Sequence, residues 1–143
     1  MLGFLFSVIA GAAMSVQGVM NTRLSEHIGL WESNVYVQGT AFLLSALVLA
    51  LFGKGSFAQL AAAPKGYLFG GALGLIITVT VMLALGKLSA TVAISTILIA
   101  QLLVAALLDA FGWMGQEKVA MGVKQYLGLA LMLGGVILFK LKS

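Results

Sequence analysis

Six side chains lie inside long apolar stretches of this sequence and could do chemistry there. Gln17 and Asn21 stand four residues apart, and so do Asn34 and Gln38. On a helix that spacing puts each pair on one face. A polar side chain in an apolar segment is costly, so it faces a cavity or another helix. Together the four amides are expected to line a vestibule near one membrane face. The plainer alternative is interhelical hydrogen bonding, worth about 0.6 kcal/mol per pair. Gln101 sits among Ile97, Leu98, Ile99, Leu102 and Leu103. It needs a partner, which a substrate or the Gln101 of a second copy could supply. Asp109 is the only carboxylate placed within a span, eight residues beyond Gln101. At 1.5 Å per residue that is about 12 Å along the helix from a midpoint at Gln101. Its readings are a cation site, a proton-binding coupling group, or a solvated acid at a helix end.

Other chemistries are poorly supplied. There is no cysteine, so disulfides and thiolate metal sites are excluded, and the single His27 offers no metal cluster of the usual kind. No Ser-His-Asp or paired-carboxylate arrangement points to an enzyme. No phosphate-cradling loop points to ATP, and no cofactor is expected. The net charge of +4 comes from eight basic residues scattered singly, which is not a nucleic-acid footprint. Glu26, Glu32 and Glu117 fall in loops or at helix starts, as does His27 in the first loop. Glu32 precedes the second span and suits a helix N-terminus.

The elements that must position these residues are membrane helices. The chain is 62% hydrophobic and 8% charged, with a mean hydropathy of +1.13, a composition of membrane spans. Five stretches approach the roughly 20 residues needed to cross about 30 Å of hydrocarbon. They run over residues 3–21, 33–52, 67–85, 90–111 and 122–141. Lipid satisfies no backbone polar group, so each should be helical. The sequence thus predicts an all-α membrane protein, residues 1–143 forming one transmembrane domain. Pro64 and Gly53-Lys54-Gly55-Ser56 mark the second loop, and Gly86-Lys87-Leu88-Ser89 a very short hairpin. Trp31, Tyr67, Trp113 and Tyr126 fall near span ends, where amphipathic rings prefer the headgroup layer. Ser95 and Thr96 are read as back-bonding to their own helix. Small residues at Gly70 and Gly74, and at Ala130, Gly134 and Gly135, let helices approach closely. The second ridge serves either packing within the chain or a dimer contact. The N-terminus has no basic region ahead of its apolar run, so no cleaved signal peptide is expected.

With five spans, Arg23, Lys87, Lys140 and Lys142 fall on one membrane face and Lys54, Lys65, Lys118 and Lys124 on the other. Orientation normally follows an excess of basic residues on the cytoplasmic side. An even split lets the chain insert both ways up. Two inverted copies then pair around an axis in the membrane plane, the geometry of many inverted-repeat transporters. In that dimer Asp109 of one copy shares a leaflet with the four amides of the other.

Several stretches resemble the drug/metabolite transporter superfamily. They are Val16-Gln17-Gly18-Val19-Met20-Asn21-Thr22-Arg23-Leu24, Lys87-Leu88-Ser89-Ala90-Thr91-Val92-Ala93-Ile94-Ser95, Leu107-Leu108-Asp109-Ala110-Phe111-Gly112 and Gly128-Leu129-Ala130-Leu131-Met132-Leu133-Gly134-Gly135-Val136. The chain is most similar to the small YdcZ-like branch, with one five-helix repeat where EamA relatives have two. The resemblance implies a secondary transporter and marks Gln17, Asn21, Gln101 and Asp109 as functional positions. Where EamA relatives tend to carry proline in the fourth helix, this chain has Gln101. The small multidrug resistance exporters, also similar, carry an essential glutamate in their first helix. Here that region reads Ala10-Gly11-Ala12-Ala13-Met14-Ser15, so their proton-for-cation exchange does not transfer directly. The expectation is an inner-membrane exporter of small organic metabolites or cations in bacteria, working by alternating access as an antiparallel homodimer. The alternatives are a small dual-topology channel or an accessory membrane subunit. The partners expected are a second copy, a small substrate and the bilayer.

Overall fold

The computed structural model describes residues 1–115, 117–119 and 122–141. It is helical, with no strand among the described residues. The helices are α1 (Leu2–Ile28), α2 (Leu30–Phe52), α3 (Gly70–Leu85), α4 (Ala90–Phe111) and α5 (Val123–Leu141). Two 3₁₀ segments, Phe57–Ala62 and Lys65–Phe69, fill the loop before α3. The second continues into α3, so that a 21-residue span with a mean hydropathy of 2.3 runs from Lys65 to Leu85. Among the described residues four helical stretches are thus long and apolar enough to cross a membrane, and the apolar part of the fifth is shorter, Val123–Phe139.

The end of α1 departs from expectation. The first span was expected to close near Asn21, with Glu26 and His27 in a loop; instead the helix continues to Ile28. No glycine or proline interrupts residues 19–28, and an i,i+3 ion pair between Arg23 and Glu26 (2.9 Å) braces the exposed last turns. At 1.5 Å per residue, 27 residues make a helix of roughly 40 Å, longer than the hydrocarbon is thick. The polar end of α1 therefore belongs to a rigid extension.

A single residue, Gly29, joins α1 to α2. Its φ of 100° and ψ of 157° lie in a region essentially reserved for glycine. A side chain there would also strike the carboxylate of Glu32, which occupies the first turn of α2 and faces the positive end of its dipole.

By its contacts the chain divides into two compact units, Met1–Gly86 and Lys87–Ser143. In the first, α1 packs on both α2 and α3, and α2 packs on α3. Gly18 permits the approach of α1 to α3. A Cβ at that position would lie 3.0 Å from Leu85 Cδ1 and 3.1 Å from Val81 Cγ1. In the second unit α4 packs on α5. Helix α4 spans the residues expected from sequence, from Ser89 at its start to Gly112, which closes it in the left-handed conformation (φ 64°). Trp31, Tyr67, Trp113 and Tyr126 are exposed and lie at or next to helix ends.

In-span hydroxyls fold back on their own helices. Thr22, Thr78, Thr80 and Thr96 each donate to the carbonyl four residues earlier, at 2.7–2.8 Å. Ser7, Ser15 and Thr40 do the same at 2.9–3.0 Å. Thr96 thus follows the back-bonding expected for it.

Gly29→Ala should destabilise the protein in detergent micelles by about 1–3 kcal/mol, the usual cost of a strained backbone conformation. Gly39→Ala, in the interior of α2 with open space around it, should leave stability unchanged or raise it by up to about 1 kcal/mol. Thermal unfolding followed by circular dichroism checks both.

Candidate functional site

The four amides of α1 and α2 divide into two kinds. Asn21 and Asn34 are buried, at 8% and 4% exposure. Gln17 is exposed and Gln38 half-buried. The burial of α1 follows Gly18, Asn21 and Thr22, a stripe at i, i+3 and i+4 against α2 and α3, and Gln17 lies at its edge. Gln38 reaches toward α3: its Nε2 would be 3.8 Å from a Cβ placed on Gly74. The structure thus sets Asn21 and Asn34 inside a three-helix packing, with Gln38 at its margin and Gln17 outside it.

Ser33, which sequence reasoning passed over as the mere start of a span, organises this region. It is fully buried. Its hydroxyl lies 3.3 Å from the carbonyl oxygen of Asn21 and 3.7 Å from Met82 Sδ. One proton serves either acceptor. The contact links α2 to both α1 and α3. Next to it, the Asn34 Oδ1 is buried and accepts no hydrogen bond among the described residues. A lone buried acceptor of this kind costs about 1–3 kcal/mol.

Gln101 and Asp109 belong to the second unit, and both are exposed. Eight residues at 100° each turn them about 80° apart around α4. Leu102, Ala105, Ala106 and Asp109 share one stripe of α4, at i, i+3, i+4 and i+7. They line a cleft of about 570 Å³. The facing wall is the matching stripe of α5, which runs from Gln125 through Leu129 to Met132. Gln101 is not part of the lining. The Val119 amide donates to the carbonyl of Asp109 (2.9 Å) and brings the fourth loop to the cleft's end. The Asp109 carboxylate has no hydrogen bond or ion pair among the described residues; the one ion pair they contain is Arg23–Glu26.

Gln125 was not anticipated. It is the third residue of α5, inside the fifth predicted span, where sequence reasoning assigned it no role. The signal that could have found it is the shared spacing of 102/105/106/109 and 125/128/129/132. The ridge at Gly134 and Gly135 faces open space, with nothing within 4 Å of an added Cβ at either position.

Residues 2–138 match a family described as "Putative inner membrane exporter, YdcZ". The chain belongs to this family. It is a multi-pass protein of the inner membrane, within the drug/metabolite transporter superfamily. No curated protein and no solved structure matches it. The YdcZ branch anticipated from Val16–Leu24, Lys87–Ser95, Leu107–Gly112 and Gly128–Val136 is the family found.

Ser33→Ala should lower the unfolding free energy by about 1 kcal/mol, because it removes the hydroxyl that joins three helices. Asn34→Ala should cost less than Ser33→Ala, since it deletes an acceptor that has no hydrogen bond among the described residues. Thermal midpoints of the two variants in one detergent check the order.

Proposed function

We propose that this YdcZ-family chain is a secondary exporter of small organic metabolites or cations that works by alternating access as an antiparallel homodimer. The observation that carries the reading is family membership over residues 2–138. Three features support the finer parts. The first is the even split of basic residues, which removes the usual determinant of a single orientation. Within it, Lys54, Lys65, Lys87, Lys118 and Lys124 are exposed near helix ends or in loops, while Lys142 lies outside the described residues. The second is the ridge at Gly134 and Gly135, where an added Cβ would meet nothing within 4 Å among the described residues and which suits a close helix–helix contact with a second copy. The third is exposure. Large apolar side chains face outward along all five helices, surface that lipid or another protomer must cover.

In such a dimer the helices of two inverted copies enclose the pathway that one repeat cannot enclose alone. Exchange of conformation between the copies opens it to each side in turn. Asp109 of one protomer shares a leaflet with Gln17, Asn21, Asn34 and Gln38 of the other, and the acid set among amides is a polar binding region. Asp109 is the residue proposed to couple transport to protons.

Two lysines added to the loop at Gly53–Ser56 should bias insertion toward one orientation and lower activity. Cysteine labelling of a terminus in intact cells reads the orientation, and flux reads the activity. Full activity from a uniformly oriented population would contradict the antiparallel arrangement. In proteoliposomes, saturable flux at low turnover fits the exporter. Large electrical currents would indicate a channel instead, and no flux an accessory subunit.

Asp109→Asn should abolish the pH dependence of transport. Initial rates across a pH series check this, and an unchanged profile would remove Asp109 from the coupling role.

A further inference from the structure

We infer that the α4–α5 cleft binds an amphipathic organic cation, with its apolar body between the two helices and its ammonium group against the Asp109 carboxylate. The inference deepens the exporter reading and rests on it for the ligand's role as cargo. Its volume of about 570 Å³ falls within the roughly 300–1,000 Å³ of small-molecule pockets.

The lining selects the chemistry. Leu102, Ala105, Leu129 and Met132 offer apolar walls, and Asp109 and Gln125 are the polar side chains of the cleft. Asp109 lies in the last turn of α4, two residues before its end at Phe111. The helix macrodipole is negative there, so the acid adds to a field that already favours cations. Basic residues stand nearby in sequence at Lys118 and Lys124, yet neither makes an ion pair with Asp109. The negative charge is therefore left for something outside the described residues.

Competing ligands fit less well. An anion is repelled. A bare metal ion wants several oxygen ligands, whereas this cleft supplies one carboxylate and one amide among hydrocarbon. A neutral apolar molecule leaves the acid unused. An ammonium on an apolar body uses both halves: the head meets Asp109 and the Gln125 amide oxygen, and the body displaces water from the leucine and methionine walls. Free organic amines carry this chemistry, and so does the headgroup of phosphatidylethanolamine.

The test is equilibrium binding of radiolabelled benzyltrimethylammonium to the purified protein in phosphatidylglycerol bilayers. Neopentylbenzene, its uncharged isostere, serves as competitor. Wild-type protein should bind the cation, and the isostere should compete about tenfold less well than unlabelled cation. Asp109→Asn should weaken binding about tenfold, Asp109→Glu should retain it, and Ala105→Leu should weaken it by narrowing the cleft. Equal binding by wild type and a folded Asp109→Asn, or unimpaired binding by Ala105→Leu, overturns the site. Should Asp109→Asn fail to fold, the isostere comparison on wild type decides: equal competition by the neutral compound overturns the inference. Phosphatidylethanolamine is then added to the bilayer. Displacement of the probe supports the site and assigns the headgroup as occupant; no displacement supports it and assigns a free cation. Binding without flux would sink the exporter reading and leave the site standing. Flux with no binding at the cleft does the reverse.

Discussion

The bilayer offers no hydrogen-bond partners, and every other feature of this protein is arranged around that fact. Backbone groups close on themselves in helices. Several hydroxyls follow the same rule: Ser7, Ser15, Thr22, Thr40, Thr78, Thr80 and Thr96 bond to a carbonyl one turn back, whereas Ser33 bonds across helices. Serine and threonine can do this because their oxygen sits one bond from Cβ. Amides and carboxylates carry more polar capacity than one back-bond absorbs. Whatever they bond to must come from another helix, another molecule or water. The residues that matter are therefore those whose polar atoms remain after the helices have satisfied themselves: Asn34 Oδ1 in the first unit and the Asp109 carboxylate in the second.

The first unit shows how close packing substitutes for the hydrophobic effect in lipid. Lipid tails are as apolar as leucine, so helices gain by approaching closely and by bonding across the gap. Gly18 supplies the approach between α1 and α3, and Ser33 supplies the bond, reaching the α1 backbone and the α3 methionine sulfur. Gly29 makes both possible by turning the chain within one residue. A longer connection would not pin the register at which Ser33 meets Asn21. Asn34 sits next to this junction, which keeps an unbonded acceptor held within a rigid surrounding.

Much of this was legible because membrane helices announce themselves by length and apolarity. Helix α4 was bounded correctly at both ends, since Ser89 and Gly112 are strong local signals on either side of an uninterrupted run. The end of α1 was not, because a hydropathy criterion stops where charge begins. Arg23 and Glu26 satisfy each other on the helix surface and let it continue. Within the spans sequence was less informative. When nearly every position is apolar, the period of 3.6 residues leaves little contrast between the face toward protein and the face toward lipid. Gln17 and Asn21 were given one environment by their spacing and have two. Ser33 was treated as the start of a span and Gln125 was assigned no role, yet one is fully buried and the other lines a cleft.

The position of Asp109 carries the strongest argument about selection. An acid in the first turn of a helix is stabilised by the macrodipole, as Glu32 is in α2. The same acid in the last turn is opposed by it. Nothing in the fold of α4 requires a carboxylate there: Gly112 already closes the helix, and the Asp109 backbone carbonyl is bonded to Val119 whatever the side chain. An alanine or asparagine would serve the helix better. A charge that local structure disfavours and that no described lysine neutralises is best accounted for by a cation that comes and goes. A permanent partner would fill the cleft, whereas a transient one needs an acid that stays available and an apolar wall that does not bind too tightly. In the proposed site the pairing of one unbonded carboxylate with leucine, alanine and methionine meets both conditions, and Gln125 would add a neutral acceptor without a second negative charge.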